Sequence, residues 1–233
     1  MFRHVIMFAC CSKGRAMHPV EKMLLAFSPI LLLGFTKSHA LLAANIALFL
    51  VLHRFFETPW PWVLRYMLTL LGFAGSSSIV LLLDYPLPFA LAVFLKATFS
   101  SLALTLFLFT TPPGDIFLFF ARFPALRDIC TIAQGMEHFI LTLEEEFHHL
   151  VLSMRLRGGF RTWRLAAQNG GKIGALLFKN ALSHYERTRE ALEARLFQGV
   201  IPRGEAPYAF SGVRCTGIAA YIAGILCALW FTR

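Results

Sequence analysis

Charge is scarce in this chain, and acid is scarcer than base. Only 15% of its 233 residues are charged, 13 of them Asp or Glu against 22 Lys or Arg, where a soluble domain carries about a quarter. With 57% hydrophobic residues and a mean hydropathy of +0.63, that shortage excludes an ordinary soluble domain. The five cysteines (Cys10, Cys11, Cys130, Cys215 and Cys227) form no CxxC and no zinc-type spacing, so neither a zinc site nor a disulfide framework is implied. No Gly-x-x-x-x-Gly-Lys-Ser/Thr phosphate loop occurs, and any ATP-driven work therefore needs a partner. There is no internal repeat and no low-complexity tract. Met1 to Cys11 is too short and poorly bounded for a cleaved signal peptide. With Arg3, Lys13, Arg15 and Lys22 nearby, residues 1–22 are expected to be a cytoplasmic N-terminus.

What is abundant is apolar sequence, in five runs. Met23–Phe35 and Ala40–Leu52 are short, parted by Thr36-Lys37-Ser38-His39; they fit two short spans or a hairpin dipping into the bilayer. A loop with two prolines and interfacial aromatics, His53–Pro61, leads to the third run, Trp62–Leu83, with Arg65 near its start and Gly72, Gly75 and Ser76–Ser78 in its middle. Such small residues let helices approach closely in lipid. Asp84-Tyr85-Pro86 turns the chain into the fourth run, Leu87–Phe109, and the fifth is Gly212–Phe231. A crossing helix needs about 20 mostly apolar residues. The expected fold is therefore all-α and polytopic, with about five transmembrane helices: four within 23–110 and one at 212–233.

The net charge of +9 is read as topology and not as a nucleic-acid surface. Twelve of the 22 Lys and Arg lie between Ala121 and Pro207, a stretch without a long apolar run, and Lys and Arg collect in cytoplasmic loops. Four crossings from a cytoplasmic N-terminus return the 111–211 region to the cytoplasm, leaving only Lys37, His39 and Asp84 in external loops. Within this region Ile132, Met136, Phe139, Leu143, Phe147, Leu150 and Met154 recur at helical spacing. Gly158-Gly159 should break that helix. A short helix over Phe160–Gln168 should break at Asn169-Gly170-Gly171, and a second long helix should run from Lys172 to Gln198, ended by Gly199 and Pro202. The cytoplasmic region thus holds a pair of long amphipathic helices.

Both long helices close on arginine: Leu156-Arg157-Gly158 and Ala194-Arg195-Leu196. Taken singly, each arginine is accounted for by the helix dipole, worth about 0.3–1 kcal/mol. Two such ends on amphipathic helices beside a membrane instead suit pairing of each guanidinium with a partner's carboxylate. Lys96, inside the fourth run, is either an intramembrane functional charge, facing a cavity or another subunit, or a snorkelling side chain. Glu145 and His149, four apart, with His148 beside them, offer a metal-site alternative lacking further convergent ligands; no metal ligands are assigned. Asp115 is expected to cap a helix beginning near Ile116.

The order of these features resembles the transmembrane T component of energy-coupling factor (ECF) transporters, the CbiQ/EcfT family. The likeness runs from about His18 to Pro202. It rests on HPVEKMLLAFSPILL at 18–32, FTTPPGDIFLFFARFPALRDI at 109–129, FILTLEEEFHHLVLSMRLRG at 139–158 and KIGALLFKNALSHYERTREALEARLFQG at 172–199. The family carries two X-Arg-Gly motifs at the ends of coupling helices. Leu156-Arg157-Gly158 matches the first in full, whereas the second matches only in Ala194-Arg195, with Leu196 in place of glycine. The resemblance implies a non-catalytic subunit of an ABC-type importer in a prokaryotic inner membrane. Its coupling helices would dock on two ATP-binding cassette ATPase subunits, which hold the ATP and magnesium, and pass their movement to a separate substrate-binding S subunit. No cofactor is implied for this chain, and no nucleic acid. The look is closer to the cobalt and nickel branch than to vitamin uptake. The alternatives are a T component for vitamins, a metal-dependent membrane enzyme and a self-contained permease.

Overall fold

The computed structural model describes residues 2–36, 38–196 and 211–231. Among them the chain is helices joined by turns, the expected all-α class. In order these are α1 (Phe2–Cys11), a 3-10 turn at Lys13–Ala16, α2 (Pro19–Gly34), α3 (His39–Phe55), α4 (Trp60–Asp84), α5 (Leu87–Thr110), α6 (Pro113–Phe120), a 3-10 turn at Pro124–Leu126, α7 (Arg127–Leu156), α8 (Trp163–Ala194) and α9 (Gly212–Phe231). They divide into two compact units, one of Met1–Arg3 with Phe117–Glu205 and the other of His4–Ile116 with Ala206–Arg233.

The second unit gathers all five apolar runs, each as its own helix. Among the described residues α4, α5 and α9 are long and apolar enough to cross a membrane. At 16 and 17 residues, α2 and α3 fall short of the ~20 that a full crossing takes. The centre of this unit is α5, which packs against α2, α3 and α4. Ala90, Ala92, Ser101, Ala103 and Thr105 are buried on it, and these small residues let neighbouring backbones approach. Between them Phe99, Leu102 and Leu106 meet Leu33, Leu42, Phe49 and Phe56, with Phe49 and Phe99 edge to face at 5.1 Å. Lipid is as apolar as these side chains, so tight packing and satisfied polar groups hold the bundle, not escape from water. Several hydroxyls of α5 obey that rule: Thr98 donates to the Phe94 carbonyl and Ser101 to Ala97, at 2.8 and 2.7 Å. Between helices, Tyr221 of α9 donates to Asn45 Oδ1 of α3 at 2.6 Å.

The first unit is dominated by α7 and α8, which pack on each other, with Phe139 edge to face on His184 at 6.4 Å. Of their residues only Cys130 and Ile173 are fully buried. Two expectations need correcting here. The segment around Asn169-Gly170-Gly171 does not break: α8 is one helix of 32 residues. Flanking Leu165-Ala166-Ala167-Gln168 and Ala175-Leu176-Leu177 are strong helix formers, and continuing a helix across glycine, at about 1 kcal/mol each, costs less than nucleating a new one. The same helix stops at Ala194, before the expected Gln198; Gly199 and Pro202 lie outside the described residues. Asp115 is not a cap but a buried residue in the first turn of α6, and the N-terminal stretch, for which no element was expected, holds the helix α1.

Candidate functional site: two arginine-capped helix ends

Arg157 follows the last residue of α7 and takes the C-cap position, φ −84° and ψ +10°. Gly158 then turns left-handed at φ +71°. Its N–H donates to the Arg155 carbonyl at 3.0 Å, and the Gly159 N–H reaches back to Met154 at 2.9 Å. This paired reverse bonding is the Schellman closure, in which glycine supplies the left-handed residue without steric cost. The turn is packed from behind: Asn169 Nδ2 donates to the Gly159 carbonyl at 2.8 Å, and a Cβ on Gly159 would lie 2.8 Å from that nitrogen.

The end of α8 repeats the arrangement. Arg195 is its C-cap, at φ −92° and ψ +10°. Leu196 occupies the position of Gly158, left-handed at φ +51°, and its N–H donates to the Glu193 carbonyl at 3.0 Å. Up to Leu196 the backbone thus follows the same course without the glycine, although a left-handed leucine costs about 1–2 kcal/mol. A third closure of this type ends α3, with Glu57 left-handed at φ +51°, but there the cap is Phe56 and Glu57 pairs with Lys13. The turn alone is therefore unremarkable; the arginine at the cap sets the ends of α7 and α8 apart.

Both arginines are exposed, as are Ala194, Leu156 and Leu196, the last two by 81% and 84%. Among the described residues neither guanidinium has a hydrogen-bond or ion-pair partner, whereas Arg189 on the same helix is held by Glu193 at 2.8 Å. The two tips are not brought together. One lies at the turn before α8 and the other at its far end, so a helix about 48 Å long separates them. Around them the apolar face of α7 stays open: Ile132 and Met136 are more than half exposed and Phe147 is also exposed, while Phe139, Leu143, Leu150 and Met154 are half-buried.

The other candidates fall differently. Lys96 donates to the Gly34 carbonyl at 2.8 Å, so its charge satisfies the open C-terminus of α2. Glu145, His148 and His149 gain no further ligand; His148 lies 3.8 Å from Glu144 on its own helix. Among the described residues no three His, Cys, Asp or Glu side chains are arranged to hold a metal ion.

One polar cluster escaped the sequence reading. Glu21 is fully buried, and Lys22, Thr110, Thr111 and Asp115 nearly so. Lys22 Nζ donates to the Thr110 carbonyl at 2.8 Å, and the Ser211 N–H donates to Glu21 Oε1 at 3.1 Å. Burial pushes the Asp115 carboxyl above the usual carboxylate range, against the opposite pull of the Arg15 and Lys22 cations. Its only advance signal was the Glu-Lys pair just ahead of an apolar run.

Against known families, the profile of the CbiQ cobalt transport proteins matches residues 12–208. That stretch takes in Glu21, Lys22, Thr110, Thr111 and Asp115 of the buried cluster and both arginine-capped ends. Comparison with curated proteins gives no match.

Proposed function

The chain belongs to the CbiQ family of cobalt transport proteins, and from that premise we propose that it is the transmembrane coupling (T) subunit of an ECF-type importer. In this reading Arg157 and Arg195 dock on two ATP-binding cassette subunits, which bind ATP and magnesium, and α7 and α8 carry their movement to a substrate-binding membrane subunit. Cobalt or nickel ion is the cargo. The membrane is the prokaryotic inner membrane, with the N-terminus and residues 111–211 on the cytoplasmic side.

One observation carries this reading: two exposed arginines, without a partner among the described residues, cap the two ends in the same left-handed turn, a helix length apart. A guanidinium presented this way forms charge-assisted pairs with carboxylates more readily than a lysine would. Two tips separated by about 48 Å suit two docking points better than one. The open apolar face of α7 offers a surface for the substrate-binding subunit.

The test is co-purification of the two ATPase subunits with the Arg157→Ala, Arg195→Ala double variant, in membranes where the variant is inserted at wild-type level. The reading predicts loss of the ATPase subunits and of ion uptake. Undiminished assembly and uptake would count decisively against it.

A further inference from the structure

The coupling segment leaves the membrane bundle after Thr110 and rejoins it at Ser211. Those two residues are 101 positions apart in sequence, yet both are bonded by consecutive residues of one helical turn. Lys22 Nζ donates to the carbonyl of Thr110, the last residue of α5. Glu21 Oε1 accepts from the N–H of Ser211, the residue just before α9 begins. The charges are matched to what they meet. A cation sits at the negative C-terminal end of α5, and a carboxylate sits at the positive N-terminal end of α9. Neither bond is a surface accident, because Glu21 is 0% and Lys22 6% exposed, and a buried polar group costs free energy unless it is hydrogen-bonded; of the Glu21 carboxyl, Oε1 has this partner while Oε2 has none among the described residues.

A second contact converges on the same junction. In the 3-10 turn before α2, a Cβ on Gly14 would lie 3.0 Å from Thr110 Cβ and 3.3 Å from Phe56. The turn is therefore seated tightly against the end of α5, where a side chain at position 14 would require Thr110 and Phe56 to shift. Just past that end, Asp115 feels the Lys22 and Arg15 charges.

We propose that Glu21 and Lys22 form a two-sided anchor that fixes both junctions of the coupling segment to α2, and so act as positioning residues for transmitting its movement into the bundle. The proposal rests on the coupling reading for its transport consequence. The anchor itself does not need that reading. With the junctions held, displacement of the 111–211 region moves α2, α5 and α9 as one body; with them released, the segment moves while the bundle stays behind.

The experiment uses the full chain assembled with its ATPase and substrate-binding subunits in sealed proteoliposomes, comparing wild type with Glu21→Leu, Lys22→Met and Glu21→Gln. Hydrogen exchange is followed at 211–215 and 110–116, together with ATP hydrolysis and cobalt uptake. Glu21→Leu removes the acceptor and should speed exchange of the Ser211 amide about tenfold or more, the loss expected for a bond to a charged group. Lys22→Met should loosen 110–116. In both, ATPase subunits stay bound and hydrolysis continues, while uptake per ATP falls at least about tenfold. Glu21→Gln keeps an acceptor oxygen and should retain most of the protection and uptake, which separates anchoring from general loss of fold. Unchanged exchange in Glu21→Leu, or loosened junctions with uptake per ATP intact, would overturn the proposal. A wild-type chain that binds no ATPase subunit would sink the coupling reading instead, leaving the exchange result to decide the anchor.

Discussion

At the scale of single residues, the turn after each arginine repays close comparison. Gly158 and Leu196 share one left-handed conformation, yet only the glycine adopts it without strain. Gly158→Ala should therefore destabilise the end of α7 by about 1 kcal/mol, while Leu196→Gly should stabilise the end of α8 by a similar amount. Hydrogen exchange at 154–159 and 192–196 reads the two effects separately, and they should have opposite signs. Arg157 and Arg195 were legible because a basic residue at a helix end is a local pattern. The geometry of Leu196 was not, since leucine gives no signal for left-handed backbone. Asp115 was misplaced for a related reason: Pro113 starts α6 two residues before it, and proline is at home in a first helical turn, which puts the carboxylate inside the helix.

Among the elements, α8 departs most from expectation. Paired glycines after an asparagine read as a break, but their cost is outweighed by the formers on either side. Gly170, Gly171 and Gly174 each have open space where a side chain would go. Gly171→Ala should then raise stability by about 1 kcal/mol, seen as a shift of the unfolding midpoint in detergent. A lowered midpoint would mean that the helix needs the glycine's freedom there. The apolar runs were the most legible elements, because length and composition alone define them. The helical phase of α7 was legible too, since its apolar residues recur every three or four positions. What period could not give is which of those residues find a partner: Ile132 and Met136 lie open beside half-buried Phe139.

For the whole molecule, the least legible features are the long-range polar bonds of the bundle. Glu21 with Ser211, Asn45 with Tyr221 and Lys22 with Thr110 join positions 190, 176 and 88 residues apart; a single sequence carries no pairing information over such distances. In lipid, an interhelical hydrogen bond is worth about 0.6–2 kcal/mol. Tyr221→Phe should accordingly lower the stability of the bundle by about 1 kcal/mol, measured by unfolding in mixed micelles, without changing insertion. The polar links and the packing around α5 hold the helices of the bundle in place, and on the proposed function the exposed ends of α7 and α8 are where partner subunits dock.

That last claim is open to direct measurement. A photo-crosslinking amino acid placed at position 156, at position 196, or at position 85 in the exposed turn between α4 and α5 would report what each site touches in the assembled complex. Crosslinks from 156 and from 196 to ATPase subunits, with none from 85, are the predicted result. Absence of any ATPase crosslink from both 156 and 196, in a complex that still takes up cobalt, would contradict the account.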